Sequence, residues 1–278
     1  MKLKYTLLED FIKRTVAEDI GRGDLFVRIK ESKDITAYIL AKSEGVFAGR
    51  DYIEALADIY NLNITWNIKD GDSFSQGERL LEISGDSRDI LSLERSILNI
   101  ILHASSIATI TNKYVKELEG TNCILLDTRK TRPTLRMFEK YAVRCGGGHN
   151  HRMGLDDCLM LKDTHLQTIK DLEAFIKNIR KEIPFSAKIE VECESVDMVQ
   201  KAISADVDII MCDNMSIEEI QEVVRLRDNF YSHILLEASG NITLDRVKEI
   251  ANTGVDAISA GSIIHQAIWP DLSMRVEA

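Results

Sequence analysis

Residues 188–213 read KIEVECESVDMVQKAISADVDIIMCD. Two apolar, strand-like runs, Lys188 to Glu192 and Asp208 to Asp213, flank a stretch from Val196 to Ala205 whose apolar residues fall at helical spacing. A strand, a helix and a second strand so close together imply a parallel pair joined by a crossover. The same rhythm extends outward from this unit. Strands are expected at Cys123 to Asp127, Cys158 to Lys162, Ile234 to Ser239 and Ala257 to Ala260. Helices are expected at His165 to Lys181, Ile217 to Arg227 and Leu244 to Asn252, with Ser216 and Glu219 forming the S-x-x-E pattern of a capping box. Six strands with buried-looking faces, alternating with helices, predict a closed or nearly closed α/β barrel, with a doubly wound open sheet as the alternative.

Upstream the pattern differs. Leu7, Leu8, Phe11, Ile12, Val16 and Ile20 form one apolar stripe, and the run Gly21-Arg22-Gly23-Asp24 stops that helix. Short alternating segments follow at Ile35 to Ala41, Leu62 to Ile68 and Leu80 to Ser84, with a helical pattern at Arg50 to Tyr60, which together suggest an α+β unit. A long helix is expected from Ser87 to Leu118. Three prolines and no Ser/Gly-rich stretch leave no obvious linker, so the boundary is set by pattern. An N-terminal domain is expected over residues 1–106 and a barrel domain over 107–278.

The 278 residues carry 35 Lys+Arg against 45 Asp+Glu, a net charge of −10, in an ordinary globular composition. So acidic a balance argues against nucleic acid as the main partner. The longest apolar stretch, Ile97 to Ile110, is broken by Asn99, His103, Ser105 and Ser106, and is shorter than the roughly 20 residues of a membrane span. Glu9 and Asp10 precede any long apolar run, so a signal-peptide core is not expected, nor is a membrane partner; the reading is a cytoplasmic protein. Five cysteines (Cys123, Cys145, Cys158, Cys193, Cys212) without a C-x-x-C pair are expected to be reduced, and four of them lie in apolar strand-like runs as small core residues.

The expected strands deliver polar or small groups at their C-terminal ends: Asp127-Thr128-Arg129-Lys130, Lys162-Asp163, Glu192, Asp213-Asn214, Ser239-Gly240-Asn241, and Ala260-Gly261-Ser262. Strands must end, and loops are mostly polar, so one such residue means little. Charges of both signs at successive ends of a barrel point to the mouth where active sites of this architecture are built. From Thr128 to Arg152 there are seven basic residues and only Glu139 as an acid, a local +6 that leaves −16 to the rest of the chain. Arg129, Lys130 and Arg152 flank strand ends or the glycine run Gly146-Gly147-Gly148, and an arginine fork suits carboxylate or phosphate. Arg136 and Lys140, four residues apart, are assigned to a solvated or ion-paired helix face. Cys145, His149 and His151 lack the paired spacing of zinc motifs, so anion binding by His151-Arg152 is preferred to metal. Glu192 and Asp213 are a pair suited to Mg²⁺, and the small residues near Gly240 and Gly261, where helices begin, suit a phosphate. A charged acid reacting with a phosphorylated sugar fits this set.

Several runs resemble the carboxylating nicotinate-nucleotide pyrophosphorylase, or quinolinate phosphoribosyltransferase, family. They are Glu18-Asp19 with Gly23-Asp24, Glu94-Arg95-Ser96-Ile97-Leu98-Asn99, Ser106-Ile107-Ala108-Thr109, Leu126-Asp127-Thr128-Arg129-Lys130-Thr131, Gly146-Gly147-Gly148 with Asn150-His151-Arg152, Asp213-Asn214, and Ser239-Gly240-Asn241. Arg132-Pro133-Thr134 and Lys162-Asp163-Thr164-His165 depart from the common family pattern. The resemblance implies an N-terminal α/β sandwich, an open, TIM-like barrel of seven strands, and a homodimer, or a higher assembly, in which Arg95 enters the neighbouring subunit's site. It implies that Arg95, Arg129, His151, Arg152 and Lys162 hold the carboxylates of quinolinate. Lys130, Glu192, Asp213, Ser239, Gly240, Asn241, Gly261 and Ser262 would serve phosphoribosyl pyrophosphate, with Mg²⁺ on Glu192 and Asp213, and Thr128 and Ala260 are further substrate-binding residues. Lys130, Lys162, Glu192 and Asp213 are the implied catalytic groups of a pentosyltransferase of NAD biosynthesis. The alternatives are a molybdenum-transport-associated homologue of the same fold and a non-catalytic phosphosugar-binding regulator.

Overall fold

The structure, a computed structural model, describes residues 2–28 and 31–277, with side chains from residue 8 onward. The chain divides into two compact units. The first holds residues 1–110, 145–147 and 267–278; the second holds 111–144 and 148–266.

In the first unit, helix α1 (Lys2–Ile20) buries Leu8, Ile12 and Val16, the expected stripe, while Leu7 lies outside the described side chains. Strand β1 (Asp34–Ala41) and a two-residue β2 (Gly45–Val46) precede α2 (Arg50–Tyr60), which spans the expected residues. Asp70 Oδ1 accepts the backbone N–H groups of Gly49 and Arg50 and so satisfies donors at the start of α2. Asn61, in the left-handed region at φ 54°, ends that helix. Next come β3 (Asn63–Trp66), β4 (Ser73–Phe74), β5 (Arg79–Asp86) and the 31-residue α3 (Ser87–Glu117). By length and composition α3 could cross a membrane, but two-thirds of its apolar stretch is buried in the fold, as in the core helix of a globular protein.

The second unit contains β6 (Ile124–Leu126), α4 (Arg136–Cys145, whose last residue belongs to the first unit), β7 (Leu159–Leu161), α5 (Asp163–Leu166), α6 (Leu172–Ile179) and β8 (Ile189–Cys193). It continues through α7 (Val196–Ser204), β9 (Ile209–Asp213), α8 (Ile217–Phe230), β10 (Leu235–Ser239), α9 (Val247–Ala251), β11 (Ala257–Ser259) and α10 (Ser262–His265). The helix expected from His165 to Lys181 is instead two. Asp171, in extended backbone, accepts the Ala174 N–H and starts α6 afresh. Ser216 and Glu219 form the expected reciprocal box at the start of α8.

All pairings among these strands are parallel, in the order β6-β11-β10-β9-β8-β7. A seventh position comes from His149, which bridges Leu126 in parallel: its N–H donates to Leu125 O at 2.8 Å and its carbonyl accepts Asp127 N–H at 3.1 Å. Among the described residues strand β7 pairs only with β8, so the barrel stays open between His149 and β7. Arg152 spans that opening with a side chain, donating to Cys158 O at 2.9 Å and to Met160 Sδ at 3.4 Å. Burial pushes the thiols of Cys123, Cys158 and Cys212 up to about 12, which suits inert packing residues.

The C-terminal strand β12 (Leu272–Val276) does not stay with the barrel. It pairs antiparallel with β1 in the first unit's sheet, ordered β12-β1-β5-β3. Residues 267–278, expected in the barrel domain, therefore complete the first unit. Only a partner strand distant in sequence makes a short run ending in Arg275-Val276 a strand.

Candidate active site

Side chains alternate across a strand, so Glu190 and Glu192 share one face of β8, Met211 and Asp213 one face of β9, and Glu237 and Ser239 one face of β10. The register aligns Glu192 with Met211, Met211 with Glu237, and Asp213 with Ser239. Glu192, Asp213, Glu237 and Ser239 line a cavity of about 320 Å³ with Thr128, Arg129, Lys130, His151, Arg152 and Lys162. Thr128, Lys130 and Ser239 also line an adjoining hollow of about 240 Å³, with Gly240, Asn241, Ala260, Gly261 and Ser262. The structure thus gathers every expected site residue of the barrel in two contiguous spaces. Arg95, on α3 in the first unit, lines a separate hollow of about 370 Å³ with Asp19, Asp24, Ser92 and Glu94.

One side of the larger cavity is cationic. Burial, together with the charges of Arg152 and Arg136, lowers the pKa of Arg129, the signature of like charges crowded where an anion could settle. On the other side Lys162 is paired with the largely buried Glu192, and Asp213 Oδ2 accepts the Asn214 amide at 2.7 Å. Two carboxylates on adjacent strands are too few to cage an ion but fit Mg²⁺, which keeps waters and takes further oxygens from a phosphate.

The smaller hollow is a cradle made by the absence of side chains. A Cβ on Gly240 (φ +88°) would lie 2.3 Å from Asn214 Oδ1, and one on Gly261 would lie 2.9 Å from Lys130 Cδ. Asn214 itself accepts the Asn241 amide at 3.0 Å and donates its N–H to Ser239 O at 2.9 Å. The hydroxyls of Ser259 and Ser262 are buried without a partner and can serve a ligand oxygen.

His151 is not the open carboxylate donor expected of it. Its Nδ1 lies 2.6 Å from the Arg152 backbone nitrogen, and its Nε2 lies 3.2 Å from both Glu190 Oε2 and Glu237 Oε2. No ring nitrogen remains for a substrate, and a protonated Nε2 has no lone pair for a metal. Burial raises the Glu190 carboxyl. Burial alone would lower the imidazole, but its bonds to Glu190 and Glu237 outweigh that and carry it up to about 10. The folded protein therefore holds a proton between pH 6.5 and about 10 that the unfolded chain releases. The stability that His151 contributes is complete below pH 6.5 and lost as pH rises through about 10. Glu237→Gln should flatten the alkaline decline of the melting temperature relative to wild type; superimposable decline in the two proteins would contradict the assignment.

Of the two readings given for Lys140, solvated or ion-paired, the structure shows the second: it is 1% exposed, paired with the fully buried Asp127 and donating to His151 O at 2.8 Å. Glu190 and Glu237 are the residues that sequence reasoning passed over, while Asp127 and Asn214 were read only as polar strand ends and Lys140 only as part of a helix face. Glu190 and Glu192, two apart on an otherwise apolar strand, were the available signal for the buried acids.

The chain matches the family model "Quinolinate phosphoribosyl transferase, N-terminal domain" over residues 16–105 and its C-terminal counterpart over 107–275. It is 38% identical over 277 residues to a probable nicotinate-nucleotide pyrophosphorylase (carboxylating) of Methanothermobacter thermautotrophicus, covering 96% of this chain and 98% of that protein. A relative of the same name in Bacillus subtilis is also 38% identical, with 99% and 95% covered. The solved nicotinate-nucleotide pyrophosphorylase of Francisella tularensis superimposes with a TM-score of 0.90 at 37% identity, covering 98% of this chain and 97% of that one. A cationic pocket, a carboxylate pair and a glycine cradle on one barrel mouth, together with both domain matches, place the chain in the quinolinate phosphoribosyl transferase family.

Proposed function

We propose that the protein transfers the phosphoribosyl group of phosphoribosyl pyrophosphate to the ring nitrogen of quinolinate and then releases the C2 carboxylate, yielding nicotinate mononucleotide, pyrophosphate and CO₂ for NAD biosynthesis. The observation that carries this reading is the joining of two unlike spaces. A cavity with Arg129, Arg152 and Lys162 on one side and Glu192 and Asp213 on the other opens into the Gly240/Gly261 cradle.

Arg129 and Arg152 take the two carboxylates of the acid, with Lys162 beside them. The backbone around Ser239, Gly240 and Asn241, the segment Ala260 to Ser262, and the hydroxyl of Thr128 hold the phosphosugar, and Lys130 sits between the two spaces. Holding both reactants in line supplies much of the rate, because the ribosyl carbon becomes cationic as pyrophosphate departs and the pyridine nitrogen must already face it. Mg²⁺ bound by Glu192 and Asp213 would neutralise charge on the leaving pyrophosphate. Lys162 then matters twice. Freed from Glu192, its ammonium stands near the negative charge that develops at C2 as CO₂ leaves, a charge the new ring pyridinium also stabilises. The working unit is a homodimer in which Arg95 of one protomer completes the acid site of its partner, in a cytoplasmic setting that keeps the thiols reduced.

Purified protein with quinolinate, phosphoribosyl pyrophosphate and Mg²⁺ should release CO₂ and nicotinate mononucleotide. Binding of either substrate without product would overturn the enzyme reading. Arg95→Ala and Lys162→Ala should each be nearly inactive, and a subunit-exchanged mixture should recover part of the activity. An inactive mixture with verified exchange would place Arg95 within its own protomer's site.

A further inference from the structure

We propose that Asp127, neutralised by Lys140, is the positioning residue for the acid-binding side of the site. The inference rests on the reading above, because it names what sets Arg129 and Arg152 in place. Neither Asp127 nor Lys140 lines the cavity, and both are buried almost completely.

The one carboxylate anchors two loops. Asp127 directly follows β6 and leads into Thr128, Arg129 and Lys130. Its Oδ1 accepts the His151 N–H at 2.9 Å and the Lys140 ammonium, and its Oδ2 accepts the Asn150 amide at 2.6 Å. Lys140 in turn donates to His151 O at 2.8 Å, and Asn150 donates to Lys140 O at 2.9 Å. Both backbone polar groups of His151 are thus held by a single ion pair, and Arg152 is the next residue. The segments that carry Arg129 and Arg152, neighbours through the Leu126–His149 bridge, are thus tied to the same carboxylate.

A structural explanation alone does not account for this arrangement. Burying two charges is costly, and a well-packed apolar pair of similar volume would hold α4 against β6 as well or better. What an apolar pair could not do is accept the His151 N–H and donate to its carbonyl. A charged pair is needed only if residues 150–152 must be held in one conformation, and small errors in placing a guanidinium against a carboxylate carry large kinetic costs.

The discriminating experiment is the double substitution Asp127→Leu/Lys140→Met beside the single Lys140→Met. The single variant leaves a buried carboxylate unpaired and should lose roughly 10 °C in melting temperature. The double variant should recover most of that loss. If Asp127 positions the acid side, the recovered protein still shows a KM for quinolinate raised at least 30-fold, with KM for phosphoribosyl pyrophosphate within twofold of wild type. Recovered stability with wild-type KM for quinolinate, or equal changes in both KM values, would reduce the pair to packing and overturn the proposal. Should the double variant not fold, Asn150→Leu keeps the ion pair and removes its link to Asn150. A several-fold rise in quinolinate KM alone is expected there, and an unchanged value is the opposing result. Amide hydrogen exchange at His151 reads the same point without turnover: protection in wild type should be lost in Asp127→Leu/Lys140→Met, and retained protection contradicts the proposal. A wild-type protein inactive in the same assay would instead count against the proposed function.

Discussion

Arg152→Ala should weaken quinolinate binding about 30- to 1,000-fold while leaving phosphoribosyl pyrophosphate affinity within about threefold. The asymmetry follows from where the guanidinium is spent. Two of its nitrogens already donate to Cys158 O and Met160 Sδ across the barrel opening, and the side chain is only 8% exposed. Its rotamer is therefore fixed before any ligand arrives, and the remaining N–H groups of the fork are presented at no further entropic cost. Losing one partner of a desolvated, charge-assisted pair typically costs about 2–4 kcal/mol, which sets the range given. Arg152→Lys should not rescue, because an ammonium lacks the planar fork that engages Cys158 O and Met160 Sδ through two separate nitrogens while presenting further N–H groups to a carboxylate. Titration calorimetry with each substrate separately decides the matter. Equal losses for both ligands would mean that Arg152 serves the barrel opening and not the acid.

Gly240→Ala should raise KM for phosphoribosyl pyrophosphate by about 100-fold or more and lower kcat, with quinolinate binding changed little. The new methyl carbon would stand 2.3 Å from Asn214 Oδ1 and 2.8 Å from the Asn214 backbone nitrogen. Backbone cannot yield as a flexible side chain can, so Asn214 must move. It carries with it the amide contact to Asp213 and the bond from Asn241, so the metal-competent acid and the phosphate cradle are disturbed together. Gly120→Ala is the control. Gly120 has nearly the same backbone angle, φ +84° against +88°, but no atom within 4 Å of its added Cβ. It should show a modest loss of stability, on the order of 1 kcal/mol from the left-handed conformation alone, and unchanged kinetics. Similar kinetic damage in both variants would assign the effect to backbone strain and not to the cradle.

The barrel was legible because its evidence is local. The residues 188–213 place a strand, a helix and a strand at periods that no other arrangement satisfies, and β8, α7 and β9 formed within a residue of the expected ends. The catalytic mouth was legible for a related reason. Parallel strands all point their C-terminal ends the same way, so Lys162, Glu192, Asp213 and Ser239 converge once the strands are recognised. The division of the helix expected over His165 to Lys181 was less visible, because Asp171 signals a helix start only weakly inside an apolar periodic run. Strand β12 was invisible, since its pairing with β1 joins Leu272 to Ala41 across most of the chain.

Composition and periodicity by themselves determined the α/β class, the polar strand ends and the basic island within an acidic chain, because each of these depends on neighbours close in sequence. Only the tertiary structure decided which charges face a ligand and which face each other. Lys140 and Arg129 belong to the same basic segment, yet one is sealed against Asp127 and the other left beside Arg152 in an open cavity. His151 read as an anion donor until Glu190 and Glu237, from two other strands, claimed its free nitrogen. The physical reason is common to these cases: the worth of a charge depends on its distance from other charges and from water, and those distances are set by strands that meet only in the folded barrel.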